Sequence, residues 1–265
     1  MPFVDTAGRP LDQTPLLYRG GPWFQLTEGF AWVDPADGTA WAVPPHDPSR
    51  PPSDPGNGTD LASVPPFLWG LVASYGRQTL PAILHDRLVD DVPEAAPAGE
   101  RMRRRREVDE VFRRALVDAG VPDVRARTMW CAVRLQAYWR IRPALGALLT
   151  AQFLVGVAAC VAAVALAAQG HPLFLLLLLV PGALAPGWGS ELPFVVSAGY
   201  LSALYAPLVV AAALASGVEF VIARLLWWAG RRRGARPTPG PLLRAATTPR
   251  RGASEARRMS ENEGS

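Results

Sequence analysis

LGALLTAQFLVGVAACVAAVALAAQ, residues 145–169, runs for twenty-five residues without a charge. Crossing a bilayer core takes about 20 apolar residues in a helix, so this stretch predicts a transmembrane span. A chain of 265 residues could not cover so long an apolar helix inside a soluble core as well as fold everything else. A second run, LPFVVSAGYLSALYAPLVVAAALASGV at 192–218, is equally free of charge and predicts another span. Between them lies HPLFLLLLLVPGALAPGWG, 171–189, cut by Pro181, Pro186 and several glycines. Its uninterrupted part has the length of a re-entrant or interfacial piece.

The flanks bear on orientation. Arg140 and Arg142 precede the first run, and Arg224 and RRRGAR at 231–236 follow the last. Arginine near span ends favours the cytoplasm, so two Arg-rich flanks predict an even count. The expectation is two spans, with the Pro-interrupted piece dipping in or lying at the far surface; three spans are the alternative. VEFVIARLLWW, 218–228, suits a helix leaving through the aromatic belt. Beyond it, 231–265 holds nine Arg against three Glu, a net +6, and almost no aromatic residues, which predicts disorder. That Arg cluster serves as a positive flank and could also attract anionic headgroups.

Residues 1–142 have a different character, with charges of both signs. All 27 basic residues of the chain are arginine, which together with abundant Ala and Pro points to genome base composition and to no partner. The start, MPFVDTAGRPLDQ, lacks a basic segment followed by about 7 to 15 apolar residues, so the soluble part is expected to stay in the cytoplasm. Cys131 and Cys160 fall in a predicted helix and a membrane-length run, the usage of a reducing compartment.

Within this part, YRGGPWFQLTEGFAWVDPADGTAWAVPP, 18–45, places β-prone residues on both sides of a turn at 34–38 and predicts a hairpin. HDPSRPPSDPGNG, 46–58, reads as a surface loop. Three helices follow. The first covers 80–90, with Pro81 in its first turn and Ile83, Leu84 and Leu88 as its apolar contacts. The second covers 101–120, with a core stripe at Val108, Val111, Phe112, Ala115, Leu116 and Ala119 and Gly120 as its cap. The third starts from Asp123 as N-cap and buries Ala126, Met129, Trp130, Val133 and Ala137. The fold class is α+β: a small soluble domain at 1–142, strands before helices, then a helical membrane region at 143–230 and the tail at 231–265.

TDLASVP at 59–65, Trp69, GRQT at 76–79, AILHD at 82–86 and VDEVFRRAL at 108–116 form a recognisable series. It resembles the bacterial and bacteriophage family known as domain of unknown function 1353, over roughly 23–133. The resemblance implies a small α+β domain, found among phage structural genes, with Asp60, Ser63, His85, Asp86 and Asp109 as its shared polar residues and no established activity. The membrane region lies outside the pattern and the 46–58 loop is longer than in relatives. A virion role is therefore less expected here than a cellular, membrane-tethered one.

Asp60, His85, Asp86 and Asp109 supply one imidazole and three carboxylates, a set suited to Mg²⁺, Mn²⁺ or Zn²⁺ with a metal-bound water as nucleophile. Neighbours on a helix point about 100° apart, so His85 and Asp86 cannot both face one metal without strain. The structural alternative has Asp60 capping a turn, Ser63 bonding its loop, and Asp86 pairing with Arg77 or an Arg of the next helix. His46 could stand as the first His of a His, His-Asp, Asp phosphohydrolase, but it sits in a Pro-rich loop. Ser63, His85 and Asp86 invite a triad, yet no G-x-S-x-G elbow is present. Gly-rich phosphate loops, paired CxxC motifs and basic stripes with interleaved aromatics are also lacking, so nothing points to nucleotide, structural zinc or nucleic acid. The spans carry no paired charges of the kind transporters use. Two readings result: a membrane-anchored cytoplasmic module for binding or assembly with an unidentified protein partner, or a membrane-tethered metal-dependent hydrolase.

Overall fold

The computed structural model describes residues 3–11, 13–20, 23–54, 56–59, 61 and 76–230. Asp60, Ser63 and Trp69 of the predicted series, and the Arg-rich tail, lie outside the described residues.

Strands come first. β1 (Phe3–Asp5), β4 (Phe30–Val33) and β5 (Ala40–Val43) form an antiparallel sheet in the order β1-β4-β5, and β2 (Leu16–Tyr18) pairs with β3 (Phe24–Leu26). The predicted turn joins β4 to β5: the Asp34 N–H donates to Thr39 O at 2.8 Å, Asp34 Oδ1 accepts from the Ala36 N–H at 3.0 Å, and Gly38 takes φ +74°. Residues of both signs of the pleat alternate in burial along β4, so Phe30 and Trp32 face inward. They pack with Phe3, Leu26 and Val43 against Ile83 and Leu84 of the first helix and Val111 and Ala115 of the second. The Trp32 indole N–H reaches Asp118 Oδ2 at 3.2 Å, which satisfies the polar end of a fully buried ring.

The helices follow as expected: α1 (Thr79–Asp90), α2 (Ala98–Asp118) and α3 (Asp123–Ile141). α2 ends in a Schellman motif, with Gly120 at φ +75° donating to Val117 O at 2.9 Å and Val121 donating to Leu116 O at 3.0 Å. One detail is corrected at α3. Asp123 is its first helical residue, Pro122 occupies the cap position, and no side chain caps the helix. Phe112, Leu116, Val121, Ala126 and Met129 close a second core where the three helices meet.

α4 (Pro143–Ala168) turns sharply at Arg142 and runs back along α3. Two contacts fix its direction: the Trp139 indole N–H donates to Thr150 Oγ1 at 3.2 Å, and a Cβ on Gly146 would lie 3.0 Å from the Trp139 backbone nitrogen. The chain then returns through two 3₁₀ segments, Pro172–Leu179 and Pro186–Glu191, flanking the single turn α5 (Val180–Ala183). The return is antiparallel to α4, with Gln152 meeting Leu184 and Trp188, and Gly156 meeting Pro181. α6 (Leu192–Ala229) sets out again in the direction of α4, since Phe194 packs on Phe153 and Gly199 lies beside the Pro181 that Gly156 also touches. It is one continuous helix through Pro207 and past Val218, and the 218–228 stretch is its last part. Tyr138, Phe194, Trp130 and Phe153 knit α3, α4 and α6 into a third, aromatic core.

Candidate functional site: a buried charge chain

All three of these helices turn polar residues toward their common axis. His85 belongs to the buried face of α1, with Pro81, Ala82, Ile83 and Leu84. Asp109 lies on the α2 stripe seven residues before Leu116, and Arg134 lies on the α3 stripe four residues after Trp130. Helical periodicity brings them together. His85 Nε2 is 3.0 Å from Asp109 Oδ1, and Arg134 Nε donates to Asp109 Oδ2 at 2.8 Å. A second guanidinium, Arg105, stands 3.5 Å from Asp109 Oδ1. Asp109 is fully buried, and His85, Arg105 and Arg134 are nearly so.

Electrostatics fixes the protonation. Burial pushes the His85 imidazole below its ordinary value, and the Asp109 bond only partly offsets it. Burial alone would raise the Asp109 carboxyl, but the His85 hydrogen bond and the positive charge of Arg105 and Arg134 outweigh it and hold it low. A carboxylate has no hydrogen to give, so the His85 Nε2–H is the donor in this bond. The imidazole also rests against Phe112, ring centroids 4.6 Å apart, which fixes its plane.

The chain of charges continues outward. Arg134 Nη1 donates to both Glu191 oxygens, at 3.2 and 3.1 Å, and Nη2 donates to Arg106 O at 3.0 Å. Glu191 also pairs with the Arg106 guanidinium and is itself buried. Glu191 ends the second 3₁₀ segment, so an ionic path joins α1, α2, α3 and the base of α6.

The other predicted residues part company here. Asp86 Oδ2 accepts from Thr59 Oγ1 at 2.9 Å, which ties the Thr-Asp segment to α1. Thr59 Oγ1 in turn accepts from the Leu61 N–H at 2.9 Å, and the Thr59 backbone pairs with Phe24 on β3. Arg77, a foreseen partner of Asp86, donates instead to Gly120 O at 2.9 Å. His46 is spent on the fold: its Nδ1 accepts from the Leu26 N–H at 2.9 Å. Among the described residues, no group of three or more His, Cys, Asp or Glu is placed to hold a metal ion.

Residues 52–133 match the model of a family described as protein of unknown function, DUF1353. The chain resembles that family over this stretch. No curated protein and no solved structure matches the chain. The DUF1353 stretch contains His85, Asp86, Arg105 and Asp109 and ends one residue before Arg134. The charge chain thus begins inside the DUF1353 stretch and finishes in helices beyond it.

Arg105, Arg134 and Glu191 were not singled out from the sequence. The available signal was a basic residue on an apolar stripe, Arg134 between Trp130 and Ala137. Such a residue demands a buried counter-charge, but nothing in the spacing says that Asp109 and Glu191 provide it.

Proposed function

We propose that this protein is a membrane-anchored module whose soluble head serves binding or assembly and does not turn over a substrate. The Asp109 carboxylate carries the reading. Its two oxygens are held by His85 and Arg134, with Arg105 beside them, so it is already neutralised where a metal would need it. A divalent cation there would face two guanidinium groups at close range in a buried setting, where like charges repel strongly. Asp86 is turned to Thr59, as a residue next to His85 on a helix must be turned aside. His85, Asp86 and Asp109 then act as struts for the head.

Helix lengths support a particular way of anchoring. Arg127 of α3 meets Ser197 of α6, which marks the level at which the charged head ends. Beyond that level α4 has only its last dozen or so residues, about 20 Å at 1.5 Å per residue, against a hydrocarbon core of about 30 Å. α6 has an uncharged run from Ala198 to Val218, about 31 Å, with Glu219 next. Its exposed Leu204, Leu208, Leu214 and Val218 match a lipid-facing surface. This favours a single full crossing by α6 beside a re-entrant hairpin of α4 and the 3₁₀ return, with head and tail on opposite faces. This reading departs from the even count that Arg on both flanks predicts, because the helix lengths oppose it.

The test is cysteine accessibility in sealed vesicles, using the full chain with Cys131 and Cys160 replaced by Ala. A cysteine at Gly230 should react from the face opposite the head, and one at His171 should react slowly from both faces. Same-side labelling of Gly230 and the head would refute the crossing, and fast far-side labelling of His171 would establish three full passes instead. Metal content of the purified full chain, compared with His85→Ala, tests the hydrolase reading: a stoichiometric divalent ion lost in the variant would overturn the non-catalytic proposal.

A further inference from the structure

We infer that the cavity between the head and the base of α6 is a binding site for a phosphate-bearing anion. The inference rests on the membrane reading only for the source of that anion. The cavity measures about 430 Å³, enough for a phosphate with a small polar substituent. Four arginines line it, Arg106, Arg113, Arg127 and Arg134, against two carboxylates, Glu110 and Glu191.

Donors remain after the internal pairing is accounted for. Arg113 is matched by Glu110 at 2.6 Å, and Arg106 and Arg134 share Glu191. Arg127 has no carboxylate partner among the described residues and meets only the Ser197 hydroxyl, at 3.5 Å. Trp130, on the same wall and 7% exposed, has its indole N–H buried without an acceptor. A buried donor left unpaired is costly, and native proteins seldom tolerate one without a ligand or water to receive it. Ser190 adds a hydroxyl to the lining. Surplus positive charge, an unpartnered indole N–H and a hydroxyl together fit an oxyanion with several acceptor oxygens, and a guanidinium suits phosphate in particular.

The location suggests where the phosphate comes from. Pro193 and Phe194 form the apolar edge of the cavity, at the level where the head meets the uncharged run of α6. A lipid phosphate at the bilayer surface would sit at that level with its acyl chains along α6. A free phosphate or a small soluble phosphoester would offer the same oxygens, so the two sources are separated by experiment.

The full chain is reconstituted in nanodiscs of phosphatidylcholine alone or with phosphatidylglycerol, and thermal unfolding is followed with and without inorganic phosphate. A lipid ligand is expected to raise Tm in the phosphatidylglycerol discs, and phosphatidylglycerol should remain bound in native mass spectra. A soluble ligand is expected to raise Tm in phosphatidylcholine discs when inorganic phosphate is added. In either case Arg127→Gln should weaken binding by about tenfold or more, the scale of a lost charge-assisted hydrogen bond. Trp130→Phe, which keeps the ring packing, should weaken it by a smaller factor, and Arg103→Gln, outside the cavity, should leave it unchanged. Neither anion shifting Tm, or Arg127→Gln and Arg103→Gln behaving alike, would overturn the proposal. A chain that stays monodisperse in buffer without detergent or lipid would refute the membrane reading, while the inorganic phosphate arm would still decide the cavity.

Discussion

Asp109→Asn is the sharpest perturbation of the charge chain, because the side chain keeps its shape and loses only its charge. Asp109 is 0% exposed, and the two arginines it serves are nearly as deep, Arg105 at 6% and Arg134 at 5%. After the change Arg134 retains Glu191, but Arg105 loses the only carboxylate with which it forms an ion pair among the described residues. The new amide would also turn an NH₂ group toward His85 Nε2–H or Arg134, donor against donor. Breaking a buried pair by removing one partner costs about 3–5 kcal/mol. For a protein of this size each kcal/mol moves Tm by roughly 2–4 °C, so the expected drop is on the order of 10 °C. The measurement is thermal unfolding of the full chain in detergent, followed by tryptophan fluorescence. Glu110→Gln is the comparison, since it breaks the more exposed Arg113 pair, worth about 1 kcal/mol at most. A Tm for Asp109→Asn within about 3 °C of the parent, no lower than that of Glu110→Gln, would refute the view that this chain of charges holds the head together.

Asn57→Ala should loosen the 46–58 loop, because the buried amide donates to Asp47 O, Arg50 O and Pro51 O and accepts from the Asp47 N–H. The expected loss is about 2–3 kcal/mol, read as faster limited proteolysis within 47–58; unchanged cleavage would show the loop is held otherwise. Gly58→Ala should cost about 1–3 kcal/mol, since its Cβ would collide with the Pro52 carbonyl group, and a Tm equal to the parent's would contradict that packing. Acid should destabilise the head in two stages. The folded pKa of His85 is lowered, so the unfolded chain takes up protons first and stability falls as pH drops through about 6.5. Asp109 is lowered as well, so its contribution is present above about 3.8 and disappears as pH falls from there toward its folded value. Tm measured across pH 8 to 4 should decline first near 6.5, and His85→Gln should shrink that first step, leaving the part that burial of His46 contributes.

Much of the head was legible because its signals are local. A Pro-Ala-Asp-Gly turn between β-prone residues gave β4 and β5, and a 3.6-residue apolar period gave α2 and its buried residues. β1 and β2 were not foreseen: three-residue strands offer no period to detect, and Phe3 becomes a core residue only because Trp32 stands opposite it in the register. His85 and Asp109 were picked out with Asp60 and Asp86 as metal ligands, and these two meet by a direct hydrogen bond at 3.0 Å. What they meet was invisible, because Arg105 looks like one more member of the Arg103–Arg106 run. Glu191 lies 57 residues beyond Arg134, in a segment whose apolar character suggested only lipid. Residue type is a local property, whereas the pairing of a buried charge depends on how distant helices dock.

That docking explains why so many ionised groups were retained where apolar side chains would pack without desolvation cost. The head and the α4–α6 unit already share an aromatic core of Trp130, Tyr138, Phe153 and Phe194, and that core supplies apolar burial. Apolar contacts are non-directional, so they tolerate sliding and rotation of one unit on the other. Arg134 adds direction. Its Nε faces Asp109, Nη1 faces Glu191 and Nη2 faces Arg106 O, so the rigid guanidinium fork admits one placement of the base of α6 against α2 and α3. A slip by one helical residue, 1.5 Å along the axis and about 100° around it, would leave Glu191 or Asp109 buried without its partner. The ions therefore fix how the head sits on the α4–α6 unit. The same fixed seating keeps the phosphate cavity formed, since its walls come from α2, α3, the last 3₁₀ turn and the first turn of α6.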